Sequence, residues 1–279
     1  MLSYRHSFHA GNFADVIKHI VVIEILEHLI KKDSPFDYID THAGAGLYNL
    51  SSDQASKLQE YTQGIGRLKV EDWPDLSTYF DVLRKYNPSG KLLHYPGSPM
   101  IALHLLRRKD RAWLFELHPA DAETLVKNTY EDDRIKVMRE DGYKGLLSLL
   151  PPVSRRGLVL IDPPYEIKTD YDQILNTVIK AHKKFPTGVY AIWYPVVDRK
   201  RIEKLEAKFN ASGIKKIQRF ELAITEDMRG LGMSAAGMVV INPPYKLMES
   251  MGLILPKLVQ TLGEDVGASF KCDEWVGES

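Results

Sequence analysis

The 279-residue chain contains a single cysteine, Cys272. A disulfide within the chain is thereby excluded, and so is a cysteine-rich zinc site. His6 and His9 stand close together, but no further cysteine or carboxylate lies at a ligand spacing from them, so no metal is expected. Long apolar runs are also missing. The longest, Ile20 to Ile30, is broken by Glu24, Glu27 and His28 and cannot form a bilayer span. The N-terminus, with Arg5, His6 and Asn12, lacks the apolar core of a secretory signal. A cytoplasmic location with no membrane partner is the expectation. Net charge is absent too: 37 Lys+Arg balance 37 Asp+Glu, so total charge gives no nucleic-acid signature. Basic clusters do occur, at Arg107-Arg108-Lys109, Arg155-Arg156, Lys183-Lys184, Arg199-Lys200-Arg201 and Lys215-Lys216. Taken singly each reads as a solvated face, while several in one chain leave room for a polyanionic partner. There is no internal repeat and no low-complexity segment.

What is present is an alternation of apolar strands and helices. Short strands are predicted at Pro35–Asp40, Ala112–Glu116, Ile135–Met138, Gly157–Ile161 and Gly188–Trp193. Helices are predicted over Pro99–Arg108, Pro119–Lys127, Tyr143–Leu149 and Tyr171–Lys184. Continuous apolar strands separated by helices point to an α/β fold whose parallel sheet is covered on both faces. A further strand pair, near Ile217–Ile224 and at Gly237–Ile241, reads as an antiparallel edge. Strand ends at Glu116, Asp141 and Asp162 follow one another at single strand–helix–strand spacing, but 76 residues separate Asp40 from Glu116. One crossover needs only about 30 residues. The division predicted is therefore residues 1–49 and 96–279 for the main domain, with 50–95 a small helical insertion. The main helix restarts at Ser98-Pro99, with Ser98 as the expected cap and Pro99 at the first helical position.

The first helix is predicted to begin after an Asn12 cap. Val22, Ile25, Leu26 and Leu29 form one stripe, opposite a solvent face of Glu24, Glu27, His28 and Lys31. Asp15, Lys18 and His19 fall on the apolar side, as they would if the helix started at a polar cleft.

In open α/β sheets ligands bind beyond the carboxyl ends of the strands. Here those ends carry Asp40-Thr41-His42-Ala43-Gly44, then Glu116, then Asp141-Gly142, then Asp162. The pattern suits a nucleoside: glycines admit close backbone approach, one carboxylate accepts ribose hydroxyls and the next reaches an adenine amine. Asp162-Pro163-Pro164-Tyr165 indicates the reaction. An exocyclic amine on an aromatic ring is a poor nucleophile because its lone pair is delocalised. A carboxylate and a rigidly held carbonyl that accept both N–H bonds draw the nitrogen toward sp³ character. Two prolines fix φ and cannot donate, and the aromatic ring stacks on the extruded base. A second copy, Asn242-Pro243-Pro244-Tyr245, could serve the same chemistry. Position favours Asp162, which ends the fourth strand one unit after Asp141, and Asn242 is read as the end of an edge strand.

Over nearly its whole length the chain resembles the bacterial 23S ribosomal RNA (adenine-N6)-methyltransferases of the RlmJ type. The resemblance is carried by residues 2–12 (LSYRHSFHAGN), 40–46 (DTHAGAG), 95–99 (YPGSP), 116–119 (ELHP) and 160–166 (LIDPPYE). It implies a Rossmann-like class I methyltransferase fold, a mostly parallel seven-stranded sheet with an antiparallel edge and a helical insertion. It implies S-adenosyl-L-methionine as cofactor, held by His19, His42, Ser98, Glu116, Asp141, Gly142 and Asp162. Asp162, with Pro163 and Tyr165, takes the catalytic role, and Tyr4, His6 and Lys18 meet the target adenosine of 23S ribosomal RNA. A monomer without an obligate protein partner is expected. Asn242 to Tyr245 receives no role. A DNA adenine or cytosine methyltransferase would use the same four-residue motif, yet residues 50–95 are few for reading several base pairs. A ribosome-assembly binding protein with an inactive site is a third reading, opposed by the intact acids. A nicotinamide dehydrogenase would require a fuller glycine fingerprint than Gly44-Ala-Gly46-Leu-Tyr-Asn49.

Overall fold

The computed structural model describes residues 6–165, 170–227 and 232–278. Tyr4 lies outside them. Helix α1 (Phe13–Ile30) opens on Asn12, whose side chain accepts the backbone N–H of Asp15 at 3.0 Å. It then delivers the chain to β1 (Asp37–Asp40), the middle one of the five parallel strands. Four parallel pairings build the main body. β1 lies between β4 (Arg111–Phe115) and β6 (Gly157–Ile161). β5 (Ile135–Met138) flanks β4, and β7 (Val189–Val196) flanks β6. The chain moves outward from β1 to β4 and β5, then returns to the other side of β1 at β6. The topological switch point therefore lies between β1 and β6.

The continuous apolar strands are buried on both faces, as their composition requires. Leu158 and Leu160 of β6 join the core beneath α1, α4 (Ser98–Leu105) and α9 (Leu247–Leu262). Val159 and Ile161 face the opposite core, formed with α6 (Gly142–Leu149), α7 (Asp170–Lys184) and α8 (Arg199–Ala211). α5 (Pro119–Thr129) links β4 to β5.

Three features depart from the sequence-based expectation. First, the sheet has eight strands in the order β10-β8-β9-β7-β6-β1-β4-β5. β9 (Ala235–Ile241) is not an edge strand: it runs antiparallel to both β7 and β8 (Ile217–Ala223) and is wholly buried. The outer edge is β10 (Ser269–Val276), paired antiparallel with β8. Its Lys, Cys, Asp and Glu residues hid it from a search for apolar runs, and partnership with β8 supplies its hydrogen bonds. Second, Gly97 and not Ser98 caps α4; Ser98 is already the first helical residue, and its hydroxyl is used elsewhere. Third, α1 has no open solvent face in its first half. Every residue from Phe13 to Ile23 is buried, and Glu24, Glu27 and His28 are half-buried.

α1 packs on β9, α4 and α9, and the segment between β1 and α4 covers a further side. A two-stranded antiparallel pair, β2 (Leu47–Asn49) with β3 (His94–Pro96), draws its ends together. Between them lie α2 (Asp53–Leu58), several single helical turns and α3 (Ser77–Tyr86). Trp73, Tyr79, Val82 and Leu83 join the same core as α1, so this segment folds around no core of its own. Among the described residues, no helix is long and apolar enough to cross a membrane.

Candidate active site

Parallel pairing in register sets Asp40 beside Leu114 and Leu160, so the residues just past β1, β4 and β6 share one edge of the sheet. A cavity of about 970 Å³ opens there, bounded on the other side by the start of α1. His6, Lys18, His19, His42, Ser98, Glu116, Asp141, Gly142, Asp162, Pro163 and Tyr165 all line it. Asn242 does not. Because β9 runs against β7, its end falls at the amino edge of the parallel strands, beside Gly157 and Thr187. Both side-chain N–H groups of Asn242 are already given to the carbonyls of Pro186 and Gly188, each at 2.8 Å. Topology thus separates two identical-looking motifs by the length of the sheet.

Asp162 is tied to the first helix. Its Oδ2 accepts from the Lys18 ammonium at 2.6 Å, and the same ammonium lies 2.7 Å from Asp15 Oδ1. Asp15 Oδ2 meets His6 Nε2 at 2.8 Å and the Gly11 backbone N–H at 2.9 Å. Burial opposes the charge on Asp15, but His6 and Lys18 outweigh it and hold the carboxyl well below the usual range. Burial likewise opposes the charge on Lys18. Asp15 and Asp162 more than offset that and raise the ammonium well above its ordinary value. Asp15 and Lys18, with His6, therefore form a buried, hydrogen-bonded ion network aimed at the catalytic candidate. A buried ion of this kind is tolerable only when paired and hydrogen-bonded.

Tyr165 follows the two prolines in a left-handed backbone conformation, φ 50°. Its hydroxyl donates to the Trp193 carbonyl, and its ring lies 4.7 Å from that of Tyr171 and 5.7 Å from that of Trp193. The ring is fastened as a wall of the cavity. Trp193, which the sequence offered only as a strand residue, also faces the cavity and keeps a buried ring N–H without a partner.

The opposite half of the cavity is built by the first three strand ends. Glu116 Oε2 accepts the Gly44 N–H at 2.8 Å and Oε1 accepts that of His118 at 2.7 Å, which pins the glycine loop to β4. Asp141 caps α6 through Oδ1, which accepts from the backbone of Tyr143 and Lys144. Gly142 has no substitute: a Cβ there would lie 1.9 Å from the carbonyl oxygen of Thr41. Ser98 donates to Asp40 Oδ2 at 2.7 Å, and Tyr38 donates to the same oxygen at 2.9 Å. Burial raises the Asp40 carboxyl to about 6 despite both bonds. His42 is pushed down to about 4 by burial, and its ring packs edge-on to Tyr143.

His19 is fully enclosed, and burial lowers it to about 3. Its Nδ1 is 2.7 Å from the Tyr95 hydroxyl, which is 2.7 Å from that of Tyr79. Its Nε2, on a residue lining the cavity, has no partner among the described residues. The sequence marked residues 95–99 as distinctive but gave no sign that Tyr95 and Tyr79 stand behind His19.

Charge completes the description. Among the described residues, Asp15, Glu60, Glu116, Asp121, Asp141, Asp162 and Glu264 line the cavity against one lysine, Lys18. An acidic pocket with an orphaned imidazole nitrogen and a carboxylate at each successive strand end suits a cationic nucleoside such as S-adenosylmethionine. Among the described residues, no group of three or more His, Cys, Asp or Glu could hold a metal ion.

Known proteins carry the same chain pattern. A family model described as Ribosomal RNA large subunit methyltransferase D, RlmJ, matches residues 33–276. The Ribosomal RNA large subunit methyltransferase J of Escherichia coli is 51% identical over 260 residues, covering 92% of this chain and 93% of its own. That of Haemophilus influenzae is 49% identical over 279 residues and 99% of both chains. A crystal structure of a Legionella pneumophila protein superposes with a TM-score of 0.87 at 36% identity, covering 95% of this chain and 98% of the other. With this sheet, this switch-point cavity and these full-length similarities, the chain belongs to the RlmJ family of large-subunit ribosomal RNA methyltransferases.

Proposed function

We propose that the protein transfers a methyl group from S-adenosylmethionine to the exocyclic N6 of an adenine in 23S ribosomal RNA. The single observation that carries this reading is the placement of Asp162-Pro163-Pro164-Tyr165 at the switch point, in one acidic cavity with Glu116 and Asp141. Bound S-adenosylmethionine supplies an electrophilic methyl group on a sulfonium. Glu116 takes the ribose hydroxyls, Asp141 the adenine amine, and His19, His42, Ser98 and Gly142 complete the cofactor wall.

The chain's own work falls on the amine. Lys18 occupies Asp162 Oδ2 and leaves Oδ1 to accept one N–H of the flipped-out base, while the Pro163 carbonyl accepts the other. Accepting both N–H bonds draws the nitrogen toward sp³ geometry and takes its lone pair out of conjugation, which restores nucleophilic character; the proton released on methylation leaves to solvent. The Tyr165 ring stacks on the base; its hydroxyl bond to Trp193 means that little rotamer freedom is lost when it does so. His6 and Lys18 border the space the adenosine enters; Tyr4, which the family resemblance assigns to the same role, lies outside the described residues.

The test is Asp162→Asn, with Asp162→Ala beside it, in a tritiated-methyl assay on 23S RNA and on duplex DNA. Transfer to RNA is expected to fall by roughly two orders of magnitude or more, with calorimetric cofactor affinity changed by less than about tenfold. Wild-type transfer to DNA in preference to RNA would refute the substrate, and wild-type failure to bind S-adenosylmethionine would refute the enzyme.

A further inference from the structure

The motif without a role in the site described above lies at the opposite edge of the sheet, in a second cleft of about 430 Å³. This cleft is made by the end of α1 (His28, Lys32), the turn before β6 (Arg155, Arg156) and Asn242 to Tyr245. Asn242 holds a left-handed backbone, φ 53°, fixed by its two side-chain bonds to Pro186 and Gly188 and by its own N–H to the Lys216 carbonyl at 3.0 Å. Its amide N–H groups are thus committed, and the side chain is fixed at the sheet edge remote from the cavity that holds Asp162. The two prolines that follow are rigid and present Tyr245, which is 79% exposed. The ring stands edge-on to His28 at 5.9 Å, with the Lys246 ammonium 5.9 Å from its centre. An exposed aromatic ring held by a stiff support is a stacking platform.

The charge around that ring is of one sign. Lys32, Arg155 and Arg156 line the cleft, and among the described residues no carboxylate does. Arg156 bonds the carbonyls of Leu29 and Ser34, which are neutral and leave its charge uncompensated. His28 registers the field: burial lowers its pKa first, and Lys31, Arg156 and Lys32 lower it further. The catalytic cavity, by contrast, is lined by carboxylates that suit a sulfonium and repel phosphate. A polyanionic substrate delivered to an acidic pocket must be held by cations elsewhere. Gly157 opens β6 at the second cleft and Asp162 follows its far end, so the two sites are about 16 Å apart along five residues of strand. Because β6 is buried, the RNA must pass over the surface, a longer path that several nucleotides of extended strand cover.

We infer that the cleft between α1, the Ser154–Gly157 turn and Asn242–Tyr245 is a second RNA-binding site. It takes a single-stranded nucleotide flanking the target, with a base on Tyr245 and phosphates on Lys32 and Arg155. This rests on RNA being the substrate. The experiment compares Tyr245→Ala, Arg155→Glu and Lys32→Glu with wild type, using in-vitro-transcribed 23S RNA in methyl-transfer kinetics and filter binding across a salt series. Tyr245→Ala is expected to raise KM and Kd for RNA about tenfold, as loss of one stacked base does. Each charge reversal should raise them similarly and lower the slope of log affinity against log salt by about one or more. In all three variants kcat at saturating RNA and the cofactor Kd stay at wild-type values. Unchanged KM, Kd and salt slope, with wild-type methylation of the RNA intact, would overturn this inference alone. No saturable RNA binding by the wild-type chain would overturn it together with the functional reading. Losses seen only on assembled ribosomal particles, with naked RNA bound normally, would assign the cleft to a protein partner and also overturn it.

Discussion

The hydrogen-bonded series Tyr79–Tyr95–His19 permits a prediction that reaches from the segment after β1 into the cofactor cavity. All three residues are buried, and among the described residues Tyr79's hydroxyl is bonded to Tyr95 alone. Each hydroxyl has one proton. If Tyr79 donates to Tyr95 and Tyr95 to His19 Nδ1, both protons are used and the neutral ring carries its own proton on Nε2. The opposite direction leaves the Tyr79 proton without an acceptor in a dry core, which costs about 1–3 kcal/mol. The first arrangement therefore wins, and His19 offers an Nε2–H donor to the cavity. Tyr95→Phe removes the middle link and strands both neighbours, costing about 2–4 kcal/mol. At about 2–4 °C per kcal/mol for a chain of this size, Tm falls by about 4–16 °C. The imidazole then loses its enforced tautomer, and S-adenosylmethionine affinity is expected to drop about tenfold. Tyr79→Phe keeps the Tyr95-to-His19 bond and costs only about 1 kcal/mol. Long-range proton–nitrogen NMR of the histidine rings reads the tautomer directly, and scanning fluorimetry reads Tm. A wild-type His19 protonated at Nδ1, or a Tyr79→Phe loss as large as that of Tyr95→Phe, would refute the reasoning.

Further outcomes follow from the same geometry. Asp15→Ala leaves the buried Lys18 with Asp162 as its remaining carboxylate and should cost about 3 kcal/mol, measurable as a lowered urea midpoint; a change under about 0.5 kcal/mol would show that the network is not structural. Glu116→Gln sets an amide N–H against the N–H of Gly44 or His118, so cofactor affinity by calorimetry should fall at least tenfold while the fold persists. Gly142→Ala places a methyl against the Thr41 backbone oxygen and should leave little soluble protein, whereas Gly90→Ala, where a Cβ meets nothing, should express normally although its positive φ lowers Tm slightly. His19 and His42 are depressed in the folded state, so their contribution is complete above about pH 6.5 and is lost as pH falls toward 4 and 3. Asp40, raised to about 6, works in the other direction and offsets part of that loss. Together these three groups should lower stability by about 2–3 kcal/mol between pH 7.5 and 5; urea midpoints that stay flat across that range would contradict the assignment.

Most of the fold was legible because its signals are local. The run from Gly157 to Ile161 has to be a strand buried on both faces, and it is. Regular spacing of Glu116, Asp141 and Asp162 marks three strand ends, and the excess length before Glu116 marks the extra segment. The residues carried over from the family resemblance, Tyr4 aside, meet in one cavity because parallel pairing aligns the ends that bear them. The sequence alone also determined the chemistry of Asp162-Pro-Pro-Tyr165, since a carboxylate and two prolines carry their properties wherever they stand. It could not determine direction or depth. Asn242-Pro-Pro-Tyr245 looks equivalent until β9 is seen to run antiparallel beside β7, which reverses the edge at which its end emerges. The edge strand β10, the Lys18–Asp162 ion pair across 144 residues and the tyrosine pair behind His19 all depend on partners distant in the chain. Periodicity reports only which side of an element is apolar; only the packed structure decides what lies against it.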